Sequence, residues 1–313
     1  MEYQEFVCAV IGELNLKLKG GAKASLHTAV KNNGKERKGA LIEIPGINIS
    51  PTIYLEEFYE QFEDGDSMKE VIGDILEFYE KVKCVKSWDA SWLTEYEKVR
   101  EKIVLRMINT KGNVQLLQKV PHCELLDLSI VFHVLLEIDC RGTTMLLIDE
   151  NMMEKWGVNS EILYRDALSN TTRLFQAHLI PITDVMEELL CGKKELPNLL
   201  EDKREEERQD IMYVLTNKKR NFGAACILYP DVLENIGEIL GEDYYVLPSS
   251  IHEMVIVPMS QGREIDEMDD MIKEINAAEV AEEEVLSDHT YFYERKTKRL
   301  GMKQHVSVKK RQK

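Results

Sequence analysis

Val131-Phe132-His133-Val134-Leu135, a charged turn ending Cys140-Arg141-Gly142, Met145-Leu146-Leu147-Ile148, then Asp149-Glu150-Asn151-Met152-Met153-Glu154-Lys155-Trp156-Gly157: this stretch reads as strand, turn, strand and helix. The same order recurs without a gap 80 residues later, Ile211 standing where Val131 stood. There Ile211-Met212-Tyr213-Val214-Leu215 leads through Lys218-Lys219-Arg220-Asn221 to Ala225-Cys226-Ile227-Leu228 and Tyr229-Pro230-Asp231-Val232-Leu233-Glu234-Asn235-Ile236-Gly237. Internal duplication is one reading, and two units of a common type is the other. Both predict an α+β fold, with mixed or antiparallel sheets built from hairpin-plus-helix units in two lobes.

Outward from this core the chain parses into further elements. Phe6, Val10, Leu14 and Leu18, with Val7 and Ile11 beside them, predict an amphipathic helix over 2–18, ended by Gly20-Gly21. Leu26, Thr28 and Val30, the turn Asn32-Asn33-Gly34-Lys35 and the run Ala40-Leu41-Ile42-Glu43-Ile44 predict a β-hairpin, with a short extended segment near Pro51. Helices are expected over 54–62, over 68–83 with Ser67 as N-cap, and over 91–108. Asn159-Ser160 caps a helix containing Ala167-Leu168-Ser169-Asn170, and another follows over 183–191. Pro230 is placed at a first helical position, Asp231 in the first turn and Gly241 just past the end. Tyr244–Leu247 and Met254–Val257 read as a strand pair with both faces apolar, and 264–279 as the last helix. The expected organisation is an α+β unit over 1–110, a first hairpin-helix unit over 111–191, a charged linker over 192–210, a second unit over 211–290, and a basic disordered tail over 291–313.

Composition excludes several function classes. Apolar residues at 44% mark a globular chain, and runs such as Ile130–Leu136 fall far short of the roughly 20 residues of a membrane span. The start, Met1-Glu2-Tyr3-Gln4-Glu5, is acidic where a secretory leader would be basic, so a cytoplasmic location is expected. The six cysteines are scattered, so reduced and mostly buried thiols are expected; His122-Cys123 lacks a second ligand pair, and neither metal nor cofactor is anticipated. A net charge of −16 argues against nucleic acid as a partner except through the basic residues from Arg295 to Lys313. That arm has a bland reading as a frayed end and a sharper one as a non-specific contact for nucleic acid or for the acidic 264–288 stretch.

Phe222-Gly223-Ala224-Ala225-Cys226-Ile227-Leu228-Tyr229-Pro230, followed by Gly241-Glu242-Asp243-Tyr244-Tyr245-Val246-Leu247-Pro248-Ser249-Ser250-Ile251-His252-Glu253, resembles the uncharacterised bacterial family DUF5688 over most of the chain up to residue 290. A weaker likeness, in Trp156-Gly157-Val158 through Ala167-Leu168-Ser169-Asn170, points to the YtpQ-like family. Neither resemblance implies an activity or a set of catalytic residues.

Chemistry-bearing residue types cluster at Ser249, Ser250, His252 and Glu253. A serine activated by a carboxylate-oriented histidine is a known nucleophilic arrangement, but on one strand Glu253 would point away from Ser250 and His252. No strand-turn-helix elbow exposes the serine, and a turn whose hydroxyls satisfy loop amides is the competing reading. Asn217 and Lys218 end a strand that would lie near this turn and could line a polar pocket for a small anion or a peptide carboxylate; Asn170, on its own helix, either caps or bridges buried backbone groups or contacts a ligand. No phosphate-binding loop, dinucleotide fingerprint or metalloprotease helix occurs. The expected function is therefore a non-catalytic, cytoplasmic protein- or ligand-binding or adaptor protein with a protein partner and no membrane contact. A hydrolase using Ser249 or Ser250 with His252 is the alternative, and weak nucleic-acid binding through the tail is a third; oligomeric state is left open.

Overall fold

The computed structural model describes residues 1–84, 86–139, 142–192, 196–201 and 210–302. Two compact units emerge, Met1–Trp92 and Leu93 onward. In the first, α1 (Tyr3–Lys17) buries Phe6, Val7, Val10 and Leu14 completely. Its apolar stripe joins an antiparallel sheet of β1 (Lys23–Val30), β2 (Glu36–Glu43) and β3 (Thr52–Tyr54) in that order. Two helices, α2 (Glu56–Glu63) and α3 (Met68–Val82), follow, and α3 adds Val71, Ile72, Ile75 and Tyr79 to the same core. Each such side chain contributes about 1.5–3 kcal/mol on burial, which makes the shared core the main support of this unit. Ser67 caps α3 reciprocally: its Oγ accepts from the Glu70 N–H, and the Glu70 carboxylate accepts from the Ser67 N–H at 2.9 Å.

The second unit begins with a departure from the sequence expectation. Of the helix predicted over 91–108, only short helical turns form, including α4 (Tyr96–Val99), and the chain then enters β4 (Ile103–Asn109). Ile103, Val104, Leu105, Met107 and Ile108 are all buried, so apolar residues face both sides of the strand and erase its alternation. After α5 (Val114–Leu117) come β5 (His122–Leu125), β6 (Leu128–Asp139) and β7 (Gly142–Leu147); β6 pairs antiparallel with β4, β5 and β7. Next stand α6 (Glu150–Trp156) and α7 (Ser160–Leu174), the latter capped by Asn159, whose Oδ1 accepts from the Ile162 N–H at 2.9 Å.

A second antiparallel sheet of this unit contains β8 (Ala177–Pro181), β9 (Tyr213–Asn217), β10 (Tyr244–Ser250), β11 (Glu253–Pro258), β12 (Tyr291–Glu294) and β13 (Arg299–Met302), in the order β13-β12-β10-β11-β9-β8. Along the chain, α8 (Ile182–Cys191) follows β8, α9 (Val232–Leu240) precedes β10, and α10 (Ile265–Glu279) follows β11. Met268 and Ile272 of α10 pack on Tyr245, Leu247 and Val257. The opposite face, with Tyr244, Val246, Met254 and Ile256, is fully buried too, so both apolar faces of the β10–β11 pair are covered. The fold is α+β, and every strand pairing described is antiparallel.

Five expectations are corrected. The first copy of the repeat is a hairpin and helix, but in the second the residues Ala225–Leu228 belong to a 3-10 turn, Gly223–Leu228, not a strand. Gly223, Ala224, Ala225 and Cys226 are small and fully enclosed, which suits a tight turn packed under β9 and leaves no strand partner. Asp231 stands just before α9 in left-handed backbone (φ +62°) rather than in its first turn. The 192–210 stretch does not join two lobes, because β8 and β9 on either side of it are hydrogen-bonded neighbours in one sheet. Its described part is not all exposed: Asn198 is buried, with Oδ1 accepting from Leu179 and Nδ2 donating to Ala177, while 202–209 lie outside the described residues. The expected disordered tail starts instead as the β12–β13 hairpin; Lys303–Lys313 lie outside the described residues. Finally, Cys8 and Cys191 are exposed and only Cys226 is buried among the described cysteines. Among the described residues no helix is long and apolar enough to cross a membrane.

Candidate functional site

Ser249 and Ser250 close β10, and the tight turn Ile251-His252 leads into Glu253 at the start of β11. The Ser250 hydroxyl oxygen accepts from the His252 backbone N–H at 3.1 Å, so the side chain closes its own turn. His252 is tied down at three points. Its Nδ1 accepts from the Phe222 N–H at 3.2 Å, its Nε2 lies 3.2 Å from Glu284 Oε1, and its carbonyl accepts from the Thr216 hydroxyl at 2.8 Å. A lone pair on Nδ1 places the ring proton on Nε2, directed at Glu284. The imidazole also stacks on the Phe222 ring, centroids 5.3 Å apart and planes 27° from parallel.

Phe222 is held in a costly conformation. Its φ of +55°, with Arg220 at +50°, puts two bulky residues of one loop in left-handed backbone, at about 1–3 kcal/mol each. Asn217 builds the loop around them. Only 1% exposed, it donates from Nδ2 to the Asn221 carbonyl at 2.8 Å and accepts at Oδ1 from the Lys219 N–H at 2.9 Å. Gly223 then lets the chain pass against β9 and the β10–β11 turn: a Cβ there would stand 2.6 Å from the His252 carbonyl oxygen and 2.8 Å from the Asn217 nitrogen.

The ring so positioned meets Arg106 of β4, whose Cζ lies 3.1 Å from the Phe222 centroid. Burial pushes the Arg106 guanidinium down to about 9, so it remains a cation at neutral pH. Beside it, His133 of β6 is buried, and burial together with the Arg106 charge holds it well below the usual histidine value. Sequence reasoning singled out neither residue. The available signal was a charged residue inside the apolar run Ile103–Ile108 and an imidazole inside Val131–Leu135.

A family model described as a family of unknown function, DUF5688, matches residues 3–295. The chain belongs to this family. The DUF5688 match takes in Arg106, His133, Phe222 and His252, and it attaches no activity to them. The likeness to the YtpQ-like family gains no support. No curated protein and no solved structure matches the chain.

The remaining candidate residues of this DUF5688 chain have internal partners or lie apart. Asn170 on α7 donates from Nδ2 to the carbonyls of Arg100 at 2.7 Å and Ile103 at 2.9 Å, and Thr171 Oγ1 accepts from the Leu105 N–H at 3.0 Å. Together they satisfy the open edge of β4, which makes Asn170 a backbone cap. Lys218 pairs with Glu201 at 3.1 Å, and Arg220 with Glu188 at 2.7 Å. At the β12–β13 turn Arg295 bonds the Gly241 carbonyl and Lys298 bonds Glu234, so basic residues of the arm engage acidic and carbonyl groups of the same unit. His122 Nδ1 contacts the Val120 carbonyl at 3.0 Å, and no group of three metal-binding side chains occurs among the described residues.

Glu253 differs from these. Burial raises its carboxyl above the usual range, with the nearby His252 imidazole and the Arg220 charge acting in the opposite sense. An acid with a raised folded-state pKa disfavours its charged form in the fold, so stability falls as pH climbs through that pKa. Glu253→Gln, which copies the neutral acid, is expected to raise the unfolding temperature by about 2 °C near pH 8 and by less near pH 5. Paired thermal melts at the two pH values check this, and an equal effect at both would remove Glu253 ionisation as its cause.

Proposed function

We propose that the protein is a non-catalytic cytoplasmic binding protein that holds a small ligand or a protein partner. The observation that carries this reading is the commitment of His252. A general base needs an unshared ring lone pair facing its nucleophile, and the Nδ1 lone pair already accepts from Phe222 while Nε2 faces Glu284. Ser250, the nearer serine by bonding, turns its hydroxyl to its own loop. Histidine here works as a clamp between two loops, a role consistent with a scaffold for recognition.

The competing hydrolase reading predicts labelling of Ser249 or Ser250 by a fluorophosphonate probe. The binding reading predicts no adduct on either serine by intact-mass and peptide mass spectrometry, and no ester turnover. Turnover that disappears in His252→Ala would overturn it.

A further inference from the structure

Arg106 and His133 share one face of a sheet. The register pairs Arg106 with Val131 and Val104 with His133, so the two polar side chains are diagonal neighbours on adjacent antiparallel strands. Their surroundings are largely apolar, with Ile108, Val131 and Leu147 in one adjoining cluster and Val104, Leu135 and Phe175 in another. A cation in such a place normally has a carboxylate beside it, since an uncompensated buried charge costs several kcal/mol. Among the described residues no carboxylate pairs with Arg106, and burial alone accounts for its depressed pKa. Its Cζ lies over the Phe222 ring, and the five N–H donors lie in the plane of the guanidinium. His133 repeats the pattern: it is 8% exposed, and its Nδ1 has no hydrogen-bond partner.

Among the described residues, the Arg106 guanidinium and the His133 Nδ1 therefore lack a protein hydrogen-bond partner. One carries a full positive charge, and a strained aromatic is locked against it by Asn217, Gly223 and His252. Strain of this kind persists where the surroundings over-determine it, and it marks positions where side-chain placement matters more than backbone comfort. Arg106 retains partial solvent access, so its guanidinium can be reached from outside, while the unpartnered His133 Nδ1 is itself buried. We propose that Arg106 and His133 form the receptor for an oxyanion, a carboxylate or phosphate group carried by a small ligand. The guanidinium fork takes two oxygens in its plane, the His133 N–H supplies a third donor, and Phe222 fixes the orientation of the fork. This deepens the binding reading given above and rests on it.

The test is calorimetric titration of the full chain with inorganic phosphate and, separately, acetate, in a buffer whose anion is a bulky sulfonate. Saturable binding of either anion is expected, with phosphate favoured if the natural group is a phosphate and acetate if it is a carboxylate. Arg106→Met, which keeps the stem and removes the charge, is expected to weaken binding at least tenfold and, without anion, to melt no lower than the parent protein. Arg106→Lys, which keeps the charge but loses the fork, is expected to weaken it by a smaller factor. Failure of the parent protein to bind either anion overturns the proposal without any variant, as does undiminished binding by Arg106→Met. Both results leave the non-catalytic reading standing, because that reading falls only on serine labelling or turnover.

Discussion

Gly223→Ala is expected to lower stability by about 3 kcal/mol, read as a shift of the urea or thermal midpoint. An added Cβ would stand 2.3 Å from Thr216 Oγ1, 2.6 Å from the His252 carbonyl oxygen and 2.8 Å from the Asn217 nitrogen. Two of these neighbours are backbone and cannot rotate away. The third, the Thr216 hydroxyl, donates to the same His252 carbonyl, so moving it leaves a partly buried acceptor unsatisfied. Relief requires β9 to separate from the β10–β11 turn, which loosens the Phe222–His252 stack and releases Phe222 from Arg106. Anion binding should therefore weaken together with stability. A loss below about 0.5 kcal/mol would mean that the loop yields freely, and Phe222 would then not be rigidly placed.

Asn170→Ala is expected to cost about 2–4 kcal/mol by the same measurements. The substitution strips the donors from two carbonyls, Arg100 and Ile103, where α7 covers the edge of β4. The Ile103 carbonyl is buried and costs about 1–3 kcal/mol when left unsatisfied, and the part-buried Arg100 carbonyl adds a smaller share. Asn170→Asp should be at least as damaging, because a carboxylate would face the same two carbonyl oxygens without a proton to offer. Were Asn170 a ligand contact instead, both variants would keep the parental midpoint and lose only binding.

What the sequence made legible follows how local its signals were. The helix 3–17, the hairpin turning at Asn32-Asn33-Gly34 and the Ser67–Glu70 capping box are all encoded within a few residues, and each forms where its pattern stands. Strand β4 reads as helix in the sequence because Val99, Ile103 and Met107 also satisfy helical spacing when apolar residues face both ways. The second copy of the repeat misled for a different reason: Ala225–Leu228 is apolar enough for a strand, and only the close approach at Gly223 shows that it must turn. Around the site, His252 stood out by residue type, yet its partners Phe222 and Glu284 are 30 and 32 residues away. Arg106, brought in through Phe222, comes from a different sheet altogether. Pairings of that range arise from strand order and leave no trace in local spacing.

The β12–β13 hairpin also governs how safely the molecule can be handled at high concentration. It pairs with β10 at Tyr244–Tyr293 and Val246–Tyr291, closing one side of the six-stranded sheet. Trimming the chain at 290 as though a tail began there would strip that cover and bare a strand whose Tyr244 and Val246 are fully buried. An apolar edge of that kind recruits strands from other copies, and clumping rather than loss of a flexible end would follow. The cations Arg295, Lys296, Lys298 and Arg299, at and beside the hairpin turn, then take on a protective meaning: charge on an outermost hairpin discourages the next molecule from adding a strand.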